Sequence, residues 1–136
     1  MIIGLFVRHF KIYKGAKYIL FGINQKEMFN LFIGQNGAGK SSILEALNCY
    51  FNNSEFIYHT NEKRSEAFVS PLFLIEKGDI TNYDKKVQQI IPIISEVLLN
   101  LSFSSSTNFK PYESFFEQQK FLKSIKETHY VFTNAF

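Results

Sequence analysis

One run of eight residues, Gly34-Gln35-Asn36-Gly37-Ala38-Gly39-Lys40-Ser41, constrains this chain more than any other segment. It has the spacing G-x-x-x-x-G-K-[ST] and stands between an apolar run and a helix-forming one. Met28 to Ile33 reads as a buried strand leading into the glycines. Ser41 to Phe51 reads as a helix with an apolar stripe at Ile43, Leu44, Leu47 and Tyr50/Phe51, ended by Asn52-Asn53. Strand, glycine loop and helix in that order point to an α/β fold.

Each residue type in the run has a physical reason. Glycines admit positive φ, so consecutive N–H groups can point inward around an anion, in a concavity that a Cβ would obstruct. The helix that follows adds its unpaired N-terminal N–H groups and the positive end of its dipole. Lys40 supplies a full charge for β- and γ-phosphates, and Ser41 a hydroxyl for Mg²⁺. The expected ligand is therefore ATP with Mg²⁺, held by Gly34, Asn36, Gly37, Ala38, Gly39, Lys40, Ser41 and Ser42, with Ser41 on the metal. For Ser42, contact with the α-phosphate and a plain place in the first helical turn are both open. For Asn36 the choice lies between capping the loop and reaching the γ-phosphate. The agreement of motif, preceding strand and following helix argues against a glycine-rich turn without a ligand.

Elsewhere, Ile2 to Val7 and Lys17 to Ile23 are β-rich segments separated by a turn at Lys14-Gly15. Asn61 to Glu66 is charged and turn-like. Phe68-Val69 and Leu72 to Ile75 read as a strand entered through Pro71 and closed by Lys77-Gly78-Asp79. Val87, Ile90, Ile91, Ile94, Val97, Leu98 and Leu101 form the clearest amphipathic stripe in the chain. Pro92 lies off that stripe and either kinks the helix near Gln88 or opens a second helix. Ser102 to Asn108 is a Ser/Thr-rich break, Pro111 to about Glu127 a further helix, and Tyr130-Val131-Phe132 a short strand.

With 136 residues, 46% of them apolar, the chain suits one domain with a real core and is too short for two. A net charge of +3, spread along the chain, permits contact with DNA or RNA without arguing for it. Cys49 stands alone, which excludes an internal disulfide and multi-Cys zinc patterns and fits a reducing compartment. His9, His59 and His129 lack metal-ligand spacing. No run approaches the ~20 apolar residues of a membrane span, and the start meets Arg8 and His9 too early for a secretory segment. The expectation is a soluble, cytoplasmic chain without a membrane partner.

The wording from Ile33 through Gly37, Lys40 and Glu45 to Leu47 resembles the N-terminal signature of the ABC/SMC/RecF-type ATPases. That branch includes OLD-type nucleases and AAA-type ATPases of bacterial anti-phage systems. His9-Phe10-Lys11-Ile12-Tyr13-Lys14-Gly15 is similar to the family's aromatic and basic segment between its first two strands, with Lys11 in place of the usual Arg. A lysine is a point charge and cannot make the bidentate contact of a guanidinium. Phe10 and Tyr13 are read as core or hairpin aromatics rather than as adenine contacts. The resemblance is strong over roughly the first 50 residues. It implies a P-loop domain with a mixed sheet and flanking helices, residues 1–136 forming the N-terminal lobe of an incomplete ATPase head. It also implies pairing of heads as a homodimer or higher oligomer around ATP, and a DNA-directed role with a nuclease domain or partner.

Such heads carry a Walker B strand, a signature motif and a Q-loop glutamine. Leu72-Phe73-Leu74-Ile75-Glu76 is a candidate for the first, making Glu76 the candidate catalytic carboxylate, although it offers one carboxylate rather than two. Leu101 to Ser105 lacks the glycines of a signature motif, and Gln88 and Gln89 lie within the amphipathic helix. Two readings follow: an ATPase that couples nucleotide turnover to work on DNA, or a regulatory module that holds ATP without hydrolysing it.

Overall fold

The computed structural model describes residues 1–22, 30, 32–102 and 110–134. Its sheet has four strands, β1 (Ile2–Phe10), β2 (Tyr13–Leu20), β3 (Phe68–Glu76) and β4 (His129–Thr133), in the order β2-β1-β3-β4. Three helices flank it, α1 (Lys40–Asn52), α2 (Lys85–Asn100) and α3 (Glu113–Ser124). The class is α/β, and every described pairing is antiparallel rather than mixed. The strand expected at Met28 to Ile33 is not among the described strands. Asn30, Phe32 and Ile33 hold no regular structure, and Met28, Phe29 and Leu31 lie outside the described residues.

β1 is apolar along nearly its whole length because both of its faces are covered. On one face Leu5 and Val7 join Val69 of β3 and Ile43, Ala46 and Cys49 of α1. On the other, Ile3 joins Leu72 and Leu74 of β3, Leu98 and Leu99 of α2, and Phe115 and Leu122 of α3. The helices thus form one layer on each side of the sheet. Strict alternation would put Ile3 and Leu5 on one face. An irregularity between Ile2 and Gly4, where two steps of β1 oppose one of β3, resets the phase.

The same place on β1 carries a buried polar group. The Tyr18 ring crosses Gly4, where an added Cβ would overlap the phenol, and its hydroxyl donates to Oε1 of Gln118. Gln118 Nε2 in turn donates to the Ile3 carbonyl at 2.9 Å. Burial pushes the Tyr18 pKa well up, so the hydroxyl stays a donor. The neighbouring Gln119 donates to the carbonyls of Leu98 at 2.8 Å and Leu101 at 3.0 Å, which satisfies the end of α2.

Several local expectations shift for physical reasons. The β1–β2 turn falls at Lys11-Ile12, and Gly15 instead uses its positive φ of 69° in a bulge, where Lys14 and Gly15 of β2 face His9 of β1. Pro71 lies within β3 rather than at its entry. Its carbonyl accepts from Thr133 Oγ1 at 2.8 Å, so its nitrogen faces the same edge, where the β4 ladder has already ended at Leu72. α2 runs unbroken through Pro92 and is capped by Asp84, whose carboxylate accepts from the N–H groups of Lys86 and Val87. Its buried line is Ile91, Ser95, Leu98 and Leu99, with Ile90 and Val97 outward, because Ser95 Oγ accepts the N–H of Val131 at 3.0 Å. On α1, Ala46 and Cys49 replace Leu44 on the inner face. α1 ends as expected, with Asn53 in the left-handed region at φ 49°. Of the Ser102 to Asn108 break, all but Ser102 lies outside the described residues, and the following helix starts with a 3₁₀ turn at Lys110–Tyr112. No helix among the described residues is long and apolar enough to cross a membrane.

Gly4→Ala is expected to lower stability by at least about 2 kcal/mol, since backbone and a packed aromatic ring must separate. Urea denaturation measures this. Combining it with Tyr18→Leu should give a loss smaller than the sum of the two single changes, because the collision is then gone.

Candidate functional site

The glycine loop joins the irregular stretch Phe32–Gln35 to α1. Asn36 and Gly37 form a turn, with the Ala38 N–H donating to the Gln35 carbonyl at 3.2 Å. Gly37 and Gly39 have φ of 85° and 91°, in the left-handed region. Gly34, Gln35, Asn36, Gly37, Ala38 and Ser41 are exposed, Lys40 is half-buried, and Gly39 and Ser42 are buried. The residues expected to hold a phosphate are therefore brought together at one helix start, with Ser41 facing solvent and Ser42 turned inward.

Lys40 folds back over this loop. Its Nζ donates to the carbonyls of Gly34 and Gln35, the latter at 2.7 Å. The ammonium thus stands at the mouth of the turn, held by the main chain of the loop. Gly39 is the N-cap of α1, with no side-chain hydrogen bond to the first turn and no acidic residue in it. The main-chain carbonyl of Gly39 accepts the Ile43 N–H at 3.1 Å, the first bond of the helix.

The β1–β2 turn packs against this junction. Tyr13 Oη donates to the Gly39 carbonyl at 3.1 Å. A Cβ on Gly39 would sit 2.7 Å from both Ile12 Cδ1 and Tyr13 Oη; the exposed Ile12 can turn aside, but the buried, hydrogen-bonded Tyr13 opposes a side chain there, as does φ. Lys11 pairs with Glu45 in the second turn of α1. Phe10 is fully buried and meets Phe56 edge-on at 5.0 Å, and Tyr13 is buried, so both are core aromatics. Sequence reasoning had no means to find the Ile12 and Tyr13 contacts with Gly39, since the partners are 26 or more residues apart.

The other candidates lie elsewhere. β3 is antiparallel to β1, with Phe68 level with Arg8 near the turn, so Glu76 ends the strand at the opposite end of the sheet. Eight residues at ~3.3 Å each put Glu76 about 26 Å along the strand from Phe68. Gln88 and Gln89 stand at the start of α2, on the face of the sheet away from α1, and Gln88 Nε2 donates to the Tyr83 carbonyl at 2.7 Å. Of Leu101 to Ser105, the residues from Phe103 lie outside the described set. His9 is buried and its Nδ1 accepts from the Gly15 N–H at 3.1 Å, while His59 Nδ1 lies 2.8 Å from the Thr60 carbonyl. Among the described residues no group of three or more His, Cys, Asp or Glu is placed to hold a metal ion.

Comparison with protein-family models, curated proteins and solved structures finds no match to this chain.

Two substitutions separate contact from conformation. Gly37→Ala meets open space and should cost about 1 kcal/mol, the strain of a left-handed alanine. Gly39→Ala adds a collision with the buried Tyr13 hydroxyl and should cost about 1–2 kcal/mol more. Chemical denaturation of the two variants side by side checks the difference.

Proposed function

We propose that this chain binds the triphosphate of ATP with Mg²⁺ in the loop Gly34–Ser41, as the N-terminal lobe of an ABC/SMC/RecF-type ATPase. The observation that supports this best is the start of α1. There the helix opens on a left-handed glycine, has no side-chain cap, and carries Lys40 folded over the loop carbonyls. Asp84 caps α2 and Glu113 stands in the uncapped first turn of α3, so among the three described α-helices α1 opens with neither a side-chain cap nor an acidic residue. Open N-terminal N–H groups beside a lysine favour an anion through both hydrogen bonding and the helix dipole.

The residues present fit such a ligand. In this reading the main-chain N–H groups from Gly37 to Ser42 surround the phosphates, with Gly34 and Asn36 at the rim. Lys40 exchanges its two loop carbonyls for phosphate oxygens. Mg²⁺ neutralises charge on the phosphates and takes the Ser41 hydroxyl as its protein ligand. The family resemblance extends the proposal to pairing of heads around ATP and to work on DNA with a nuclease partner.

A second reading, that the chain holds ATP without hydrolysing it, is favoured by the position of Glu76 at the far end of the sheet from the loop. Phosphoryl transfer to water needs a group that places the attacking oxygen in line, and neither Glu76 nor Gln88 stands near Lys40.

Lys40→Ala is expected to weaken ATP binding at least tenfold, because a charge-assisted phosphate contact is worth ~1.5–3 kcal/mol. Unchanged affinity in a folded variant removes the proposal. Ser41→Ala should reduce only the Mg²⁺-dependent part of the affinity, as titrations with and without the metal will show. In a single-turnover assay the chain alone should release phosphate no faster than Lys40→Ala. Release abolished by both Lys40→Ala and Glu76→Gln would reverse the second reading.

A further inference from the structure

We propose that the Tyr13 hydroxyl is the positioning group of the phosphate loop: by fixing the Gly39 carbonyl it aims the Lys40 main-chain N–H at the bound phosphate. The inference rests on the ATP reading above and assigns a role to a residue outside the motif. Gly39 C=O and Lys40 N–H belong to one peptide plane and point in opposite directions across it. Whatever holds the oxygen therefore sets the direction of the hydrogen. The oxygen has two partners, the Ile43 N–H at 3.1 Å and Tyr13 Oη at 3.1 Å. The first belongs to the helix and moves with it, whereas the second comes from the sheet.

The tether is built to be rigid. Tyr13 is buried, starting β2 directly after the turn, and its phenol stands where a side chain on Gly39 would lie. Burial raises the Tyr13 pKa, which keeps the hydroxyl a donor. Lys11, two residues earlier, pairs with Glu45 and holds the same turn to the second turn of α1. Gly39 is buried while residues 34–38 are exposed, so the loop is anchored at its helical end. Anion binding by main-chain donors depends on their direction being set before the ligand arrives, which is what such an anchor supplies.

Tyr13→Phe removes the hydroxyl and keeps the ring. Two readouts decide the case: hydrogen exchange at the Ile43 amide, which donates to the Gly39 carbonyl, and affinity for MgATP and for AMP. The expected result is exchange about fivefold to tenfold faster at the Ile43 amide, with β4 amides unchanged, and MgATP affinity lowered by a similar factor. The ATP to AMP affinity ratio should fall, since the loop contacts the β- and γ-phosphates that AMP lacks. A merely structural role would speed exchange throughout the chain and leave that ratio unchanged, which would overturn the proposal. Unchanged exchange at Ile43 would overturn it as well. If the wild-type chain and Lys40→Ala both fail to bind MgATP, the ATP reading falls with them. The part of the proposal that aims the Lys40 N–H at a phosphate falls too, and the exchange result alone then decides whether Tyr13 fixes this peptide.

Discussion

The burial of β1 on both faces is the constraint from which the rest of the fold follows. A strand at the centre of a sheet with helices above and below must send apolar side chains both ways. It does so here with Leu5 and Val7 toward α1 and Ile3 toward α2 and α3, after an irregularity that resets the alternation. At that phase change Gly4 lies under the Tyr18 ring, and the Ile3 carbonyl accepts from both the Phe21 N–H at 3.0 Å and Gln118 Nε2 at 2.9 Å. Buried polar groups of this kind are tolerated because each has a partner, and loss of one strands the others in apolar surroundings.

The strand also carries the candidate site without contributing a side chain from its own core. Its far end turns at Lys11-Ile12 and presses Ile12 and Tyr13 against Gly39. A scaffold buried on both faces is thereby coupled to a loop that is exposed along most of its length, the division of labour common to binding loops. The Lys11–Glu45 pair, partly exposed at both ends, contributes at most ~1 kcal/mol to this coupling. The buried Tyr13 contact acts mainly through geometry.

Legibility in the sequence followed the range of the interactions. The glycine loop, the helix after it and its end at Asn52-Asn53 are local, and the structure has α1 at Lys40–Asn52 with left-handed glycines before it. The amphipathic helix near Val87 was legible as a helix, but its inner face was not. Ser95 faces inward because the Val131 N–H needs an acceptor, and nothing near Ser95 in the chain announces that strand. Leu44 was misread for a similar reason: Ala46 and Cys49 let α1 lie close to the sheet, a matter of fit between distant surfaces. Lys14-Gly15 carried a turn signal that the structure spends on a bulge, since both features call for positive φ and residue type alone does not tell them apart.

By itself the sequence determined the chemistry that could be offered at residues 34–42, because glycine freedom, a lysine and the hydroxyls of Ser41 and Ser42 at fixed spacing act within a short stretch of chain. It also determined an α/β composition of elements. Only the tertiary structure decided what stands beside that loop. The antiparallel pairing of β1 with β3 brought Phe68, not Glu76, to the end of the sheet nearest the turn, and the turn brought Tyr13 to Gly39. Strand direction and register depend on which distant apolar faces bury each other, and the spacing of residues along a chain does not carry that information.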